Sequence, residues 1–154
     1  MAAKTKHFTD TIFYQIELTA KYCRHLGVQI FSKLNIPITL DEFSALDVIM
    51  LNDGICQREL AKMILKDRAN TGRILNTLEE KGLIERFVDT KNNRLVRKMV
   101  LTEQGKKVLE DATLLVRKQL DQIPNIISDS EVFCLKETLL KFREGLKQEV
   151  EMKI

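Results

Sequence analysis

The chain has no tryptophan, two prolines, six glycines and three cysteines among its 154 residues. So little proline and glycine excludes a linker-rich or low-complexity chain. Cys23, Cys56 and Cys134 are odd in number, far apart and form no C-x-x-C. That pattern argues against a disulfide framework and against a zinc site. His7 and His25 have no partners at ligand spacing, so no metal is expected. Aromatic residues make up only 6% of the chain, too few for a platform that stacks single-stranded bases. No run approaches the roughly 18 apolar residues of a membrane span. The start, "MAAKTKHFTD", lacks the apolar stretch of a signal peptide. The expected location is the cytoplasm. Neither G-x-S-x-G nor a glycine-rich phosphate loop is present, so no enzyme and no cofactor are expected.

What is present points to a folded, soluble chain: 44% hydrophobic, 31% charged, with a net charge of +3. The length suits one compact domain, with or without helical extensions. A charge of this size is mild, so any nucleic-acid reading depends on where the charge sits.

Periodicity places a helix over residues 10–34. Phe13, Ile16, Ala20, Cys23, Gly27, Ile30 and Leu34 lie on one face, and Thr9 or Asp10 stands at the cap position. Pro37 breaks the pattern, since it restricts the residue before it. Thr39 and Glu42 fit a capping box for a second helix, which ends at "NDG". A short helix is predicted from about Gln57 to Ile64, then a turn at "LKD". Asp67 caps a helix from Arg68 to about Lys81, closed by Gly82. That is a helix-turn-helix order. From Ile84 the period changes to two, and "DTKNN" separates two alternating runs, a hairpin spanning 84–101. Thr102 and Ser128 cap two further helices. The fold class is mainly α with a small β hairpin (α+β). The first helix and the last two carry apolar stripes that a core of residues 39–102 cannot cover, which suggests a symmetric dimer. The alternative is a monomeric helical bundle.

Three stretches resemble the MarR/SlyA-type family of winged helix-turn-helix regulators. They are "ITLDEFSALDVI", "QRELAKMILKDRANTGRILNTLEEKGLIER" and "NNRLVRKMVLTEQG". The resemblance implies a winged helix-turn-helix at 39–102, flanked by dimerisation helices at 1–38 and 103–154. It also implies a homodimeric DNA-binding regulator, often a repressor, often released by a small phenolic effector or by oxidation. The chain departs from the family's pattern in places. Ala69 and Gly72 stand where small hydroxyl residues are common. Asn93 stands at the wing's usual Asp, and Leu95 follows Arg94 where many members have a second Arg.

The helix starting at Arg68 carries a small, polar first half, "RANTGR", and an apolar second half with Ile74, Leu75 and Leu78. A helix entering the major groove presents its N-terminal residues to base edges. Ala69 and Gly72 leave room for such an approach. Asn70 and Thr71 offer hydrogen-bonding groups, and Arg68 and Arg73 can reach guanine or phosphate. Gly72 could instead let two helices pack closely. Residues 86–98 hold five basic residues, Arg86, Lys91, Arg94, Arg97 and Lys98, against Asp89 alone. That segment is therefore +4 while the rest of the chain sums to −1. A charge run is usually a solvated face. On a hairpin directly after a candidate recognition helix, phosphate or minor-groove contact is the better reading. Candidate DNA contacts are Arg68, Asn70, Thr71, Arg73, Lys91, Asn93, Arg94 and Arg97. The partners expected are double-stranded DNA with a near-palindromic site and a second copy of the chain. A winged-helix protein-interaction module that does not read DNA is the alternative. Cys23 is expected to pack as a small hydrophobe. Cys56, near a helix N-terminus, is the better candidate for a reactive thiolate.

Overall fold

The computed structural model describes residues 6–151. They fall into two compact units that divide between Leu40 and Asp41.

In the first unit a 3-10 turn, Phe8–Asp10, leads into helix α1, Ile12–Lys33. The cap is Thr11, whose hydroxyl accepts from the Tyr14 N–H at 3.3 Å, and not Thr9 or Asp10. The 3-10 turn occupies both of those residues and pushes the start of the helix past them. Ile30, Phe31 and Ile38 are buried. Ile12, Phe13, Tyr22 and Val28 of α1 are exposed, and so is Cys23, against its expected packing role.

The second unit contains most of α2, Leu40–Leu51, then α3, Gln57–Ile64, and α4, Arg68–Glu80. α4 ends in a Schellman motif. Gly82 adopts φ 71°, the Gly82 N–H donates to the Glu79 carbonyl at 2.9 Å, and the Leu83 N–H donates to the Leu78 carbonyl at 2.9 Å. Strands β2, Ile84–Lys91, and β3, Arg94–Leu101, pair antiparallel in a register running from Ile84↔Leu101 to Lys91↔Arg94. Asn92 and Asn93, with φ of 51° and 59°, make the two-residue turn. Two positive φ values in succession match the right-handed twist of a hairpin, and Asn tolerates them. A further strand, β1, Ile55–Cys56, adds to the other edge of β3 and gives the order β1-β3-β2. Two residues are too short to show a period, which is why the sequence suggested a hairpin alone.

Leu46, Ile49, Leu60, Leu75, Leu78, Ile84 and Met99 form the fully buried centre of this unit. Each contributes roughly 1.5–3 kcal/mol of transfer free energy, so α3, α4 and the base of the sheet are held rigidly together. α5, Glu103–Leu120, begins at Thr102, whose hydroxyl accepts from the Gly105 N–H at 3.0 Å. α6, Asp129–Lys147, begins with the capping box expected at Ser128 and Glu131. None of its 19 residues is buried. No helix among the described residues is long and apolar enough to cross a membrane.

Candidate nucleic-acid interface

The N-terminal half of α4 is exposed because the buried stripe of this helix is narrow. Thr71, Leu75 and Leu78 are its buried residues, an i, i+4, i+7 face. Thr71 corrects the sequence reading. It is 0% exposed, and its hydroxyl donates to the Asp67 carbonyl at 2.8 Å. It belongs to the core and offers nothing to a base edge. The spacing to Leu75 and Leu78 was the available signal.

Arg68, Ala69 and Arg73 are exposed and Asn70 is partly so. Asp67 organises this face. Its carboxylate accepts from the Asn70 backbone N–H at 2.7 Å and from the Asn70 side-chain amide at 2.6 Å. Those bonds hold its carboxyl below the usual carboxylate range, with the Asn70 backbone N–H the largest cause. Arg73 in turn donates to the Asn70 amide oxygen. Asn70 and Arg73 are thus pre-ordered as a pair on the outer surface. A Cβ at Gly72 would meet only the Gln57 amide nitrogen, at 3.6 Å. That is ordinary contact distance, so close helix packing does not explain this glycine.

The basic hairpin sorts into two sets. Arg86 pairs with Glu79 of α4 and donates to Asn76 at 2.8 Å. Lys98 pairs with Asp89 across the strands at 2.7 Å, and this bond is the largest cause of the lowered Asp89 carboxyl. Lys91 pairs with Glu59 of α3. Glu59 is lowered to about 2, first by Lys91 and then by the Cys56 side chain and N–H. Arg94 and Arg97 have no carboxylate partner among the described residues, and neither do Arg68 of α4 and Arg58 of α3. Arg58, Arg68 and Arg97 line one cleft of about 700 Å³, together with Cys56, Gln57 and Val96. Three arginines without a carboxylate partner among the described residues line one cavity, which suits an external anion with several oxygens, such as phosphate.

Among the candidates from sequence, the cleft gathers Arg68 and Arg97. Asn70 and Arg73 lie on α4. Asn93 and Arg94 sit at the hairpin tip, and Lys91 is engaged by Glu59. Arg58 was missed, because nothing in α3 alone shows that it shares a cavity with a strand nearly forty positions later. Cys56 is buried in β1 at the head of α3, which is packing for a thiol rather than the exposure a sensor needs.

Residues 38–96 match the model of the MarR family. Over that stretch the chain is similar to the MarR family. Among similar proteins is the uncharacterized HTH-type transcriptional regulator YybA of Bacillus subtilis (strain 168). It is 28% identical over 117 residues, 76% of this chain and 75% of the relative. Wild-type MarR from E. coli, in its apo form, is 27% identical with a TM-score of 0.70, over 86% of this chain and 96% of that one. The transcriptional regulator SlyA is 25% identical with a TM-score of 0.73, over 90% of this chain and 95% of that one. Mainly helical, with a winged helix-turn-helix, is therefore the architecture of this chain.

Proposed function

We propose that this chain is a homodimeric DNA-binding transcriptional regulator, a repressor, working in the cytoplasm and without a catalytic role. α4 enters the major groove with Asn70 and Arg73 toward base edges. The basic hairpin follows the flanking backbone or minor groove, with Arg94 and Asn93 at its tip. One observation carries the reading: Arg58, Arg68 and Arg97 line one cleft and have no carboxylate partner among the described residues. A backbone phosphate beside the major groove fits that cleft.

The dimer reading rests on the exposed apolar residues. No residue of α6 is fully buried among the described residues, and Phe133, Leu135 and Leu140 of that helix are exposed. The same holds for Leu114 and Leu120 of α5 and for Phe13 and Tyr22 of α1. Exposed apolar surface on this scale marks an interaction face. Two-fold pairing would space two α4 helices about one turn of DNA apart, roughly 34 Å, on a near-palindrome. By resemblance, a releasing effector would be a small phenolic or other ligand.

The test is a mobility shift on DNA from upstream of the chain's own gene, with salt titration and selection from a random pool. Regulators of this kind lose affinity steeply with salt and enrich one near-palindromic sequence. A protein-interaction module would show neither. Light scattering that gave a monomer at micromolar concentration would overturn the dimer.

A further inference from the structure

Glu59 joins parts of the fold that are far apart in sequence. One carboxylate oxygen accepts from the Cys56 N–H at 3.3 Å, at the junction of β1 and α3. The other pairs with the Lys91 ammonium at the end of β2, 32 positions on. β1 pairs with β3 only at Met99 and Lys98. Beyond them, from Arg97 to Arg94, β3 has β2 alone beside it. A bare two-stranded ribbon is marginal in water. The Lys98–Asp89 pair stays inside the ribbon, and the Arg86–Glu79 pair anchors its base. Among the described residues the Lys91–Glu59 pair is the ion pair that ties the ribbon's tip to a helix.

We propose that Glu59 is a positioning residue of the DNA interface: it holds the wing tip against α3 through Lys91, and Lys91 stays with Glu59 when DNA binds. The proposal rests on the DNA-binding reading and assigns Lys91 a role other than phosphate contact. An exposed pair of this kind adds little to global stability. Its effect is on where the ribbon sits, and so on whether Arg97 faces Arg58 and Arg68 across the cleft.

Glu59→Gln removes the charge and keeps an acceptor for the Cys56 N–H, and Lys91→Ala removes the other end. Each is expected to weaken DNA binding several-fold, with the salt slope unchanged. The double variant should be no weaker than either single one, and Lys91→Arg should restore wild-type affinity. Without DNA, amide hydrogen exchange at Arg94 and Val96, which pair with Lys91 and Asp89, should quicken in Glu59→Gln, while Leu75 and Leu78 stay protected. The proposal is overturned if Lys91→Ala lowers the salt slope by about one per subunit or if Glu59→Gln tightens binding, because Lys91 would then be a phosphate ligand restrained by Glu59. Unchanged exchange at the tip also overturns it. If the wild-type chain bound no DNA, the regulator reading would fail, and the exchange experiment would still decide the strut.

Discussion

A Cβ built on Gly105 would lie 2.0 Å from the carbonyl oxygen of Leu83. That carbonyl accepts from the Thr102 N–H at 3.0 Å, and the Thr102 hydroxyl donates to the Gly82 carbonyl at 2.7 Å. The start of α5 is thus bonded onto the exit of α4, and only glycine fits at the third residue of α5. Alanine would gain about 1 kcal/mol of helix propensity, far less than a backbone clash costs. Gly105→Ala is expected to destabilise by about 3 kcal/mol or more. Denaturant titration should show it, and a loss below about 1 kcal/mol would mean that α5 moves freely against α4.

Gly72 is the opposite case. Its nearest neighbour to a new Cβ is the end of Gln57 at 3.6 Å, so Gly72→Ala should stabilise the fold by up to about 1 kcal/mol through helix propensity. If α4 approaches base edges closely, the same substitution should weaken operator binding at least several-fold. A variant both more stable and equally tight on DNA would leave this glycine unexplained.

Local signals carried much of this fold into the sequence. Asp67, Thr102 and Ser128 cap helices as expected, because a cap needs only the next three residues. The Asn92–Asn93 turn and the alternation around it located both long strands. What stayed hidden depends on distant partners. β1 exists only because β3 pairs with it, and Glu59 meets Lys91 only after α3 and the hairpin are assembled. Thr71 was legible: its spacing to Leu75 and Leu78 is that of the buried stripe, yet its polar side chain was read as surface. The charge excess of the hairpin was visible as a sum. Its division into paired Arg86, Lys91 and Lys98, and Arg94 and Arg97 with no carboxylate partner among the described residues, required coordinates.

Leu65, between α3 and α4, sits at φ 52° and ψ 46°, in the left-handed region, and is well exposed. That conformation costs a non-glycine residue roughly 1–2 kcal/mol, and little burial is lost on truncation. Glycine adds unfolded-state entropy, so the net gain of Leu65→Gly is expected to be about 0.5–1 kcal/mol. A lowered melting temperature would show that Leu65 makes an apolar contact in the assembled protein.

Acid should loosen the wing before the core. Glu59 is depressed from an ordinary 4.5 to about 2, chiefly by Lys91. A depressed carboxylate stabilises the folded state above its unfolded value, and that contribution fades as pH falls from about 4.5 toward 2. Glu59→Gln cannot lose it. Stability followed by denaturant from pH 5 to pH 2.5 should therefore fall more gently in the variant than in the wild type. Parallel curves would mean that the pair does not persist in solution.

The arginines should divide between position and sequence. Arg58, Arg68 and Arg97 share a cleft without a carboxylate, so replacing Arg58 or Arg97 with alanine removes charge that a phosphate would meet. Each is expected to weaken operator and random DNA alike and to lower the salt slope by about one per contact in each subunit. Arg73 is ordered by Asn70 on the outer face of α4, where a base edge would lie. Arg73→Ala should cost about 1–3 kcal/mol on the operator and relax choice at one position per half-site. Arg94, exposed at the tip beside Leu95, should behave like the cleft arginines if it follows the backbone. If it enters a narrow minor groove, its loss should penalise A·T-rich flanks more than others. Should Arg58→Ala and Arg97→Ala both leave affinity and salt slope unchanged, the cleft is not a phosphate site. Recognition would then rest on the exposed face of α4 that Arg68, Asn70 and Arg73 begin.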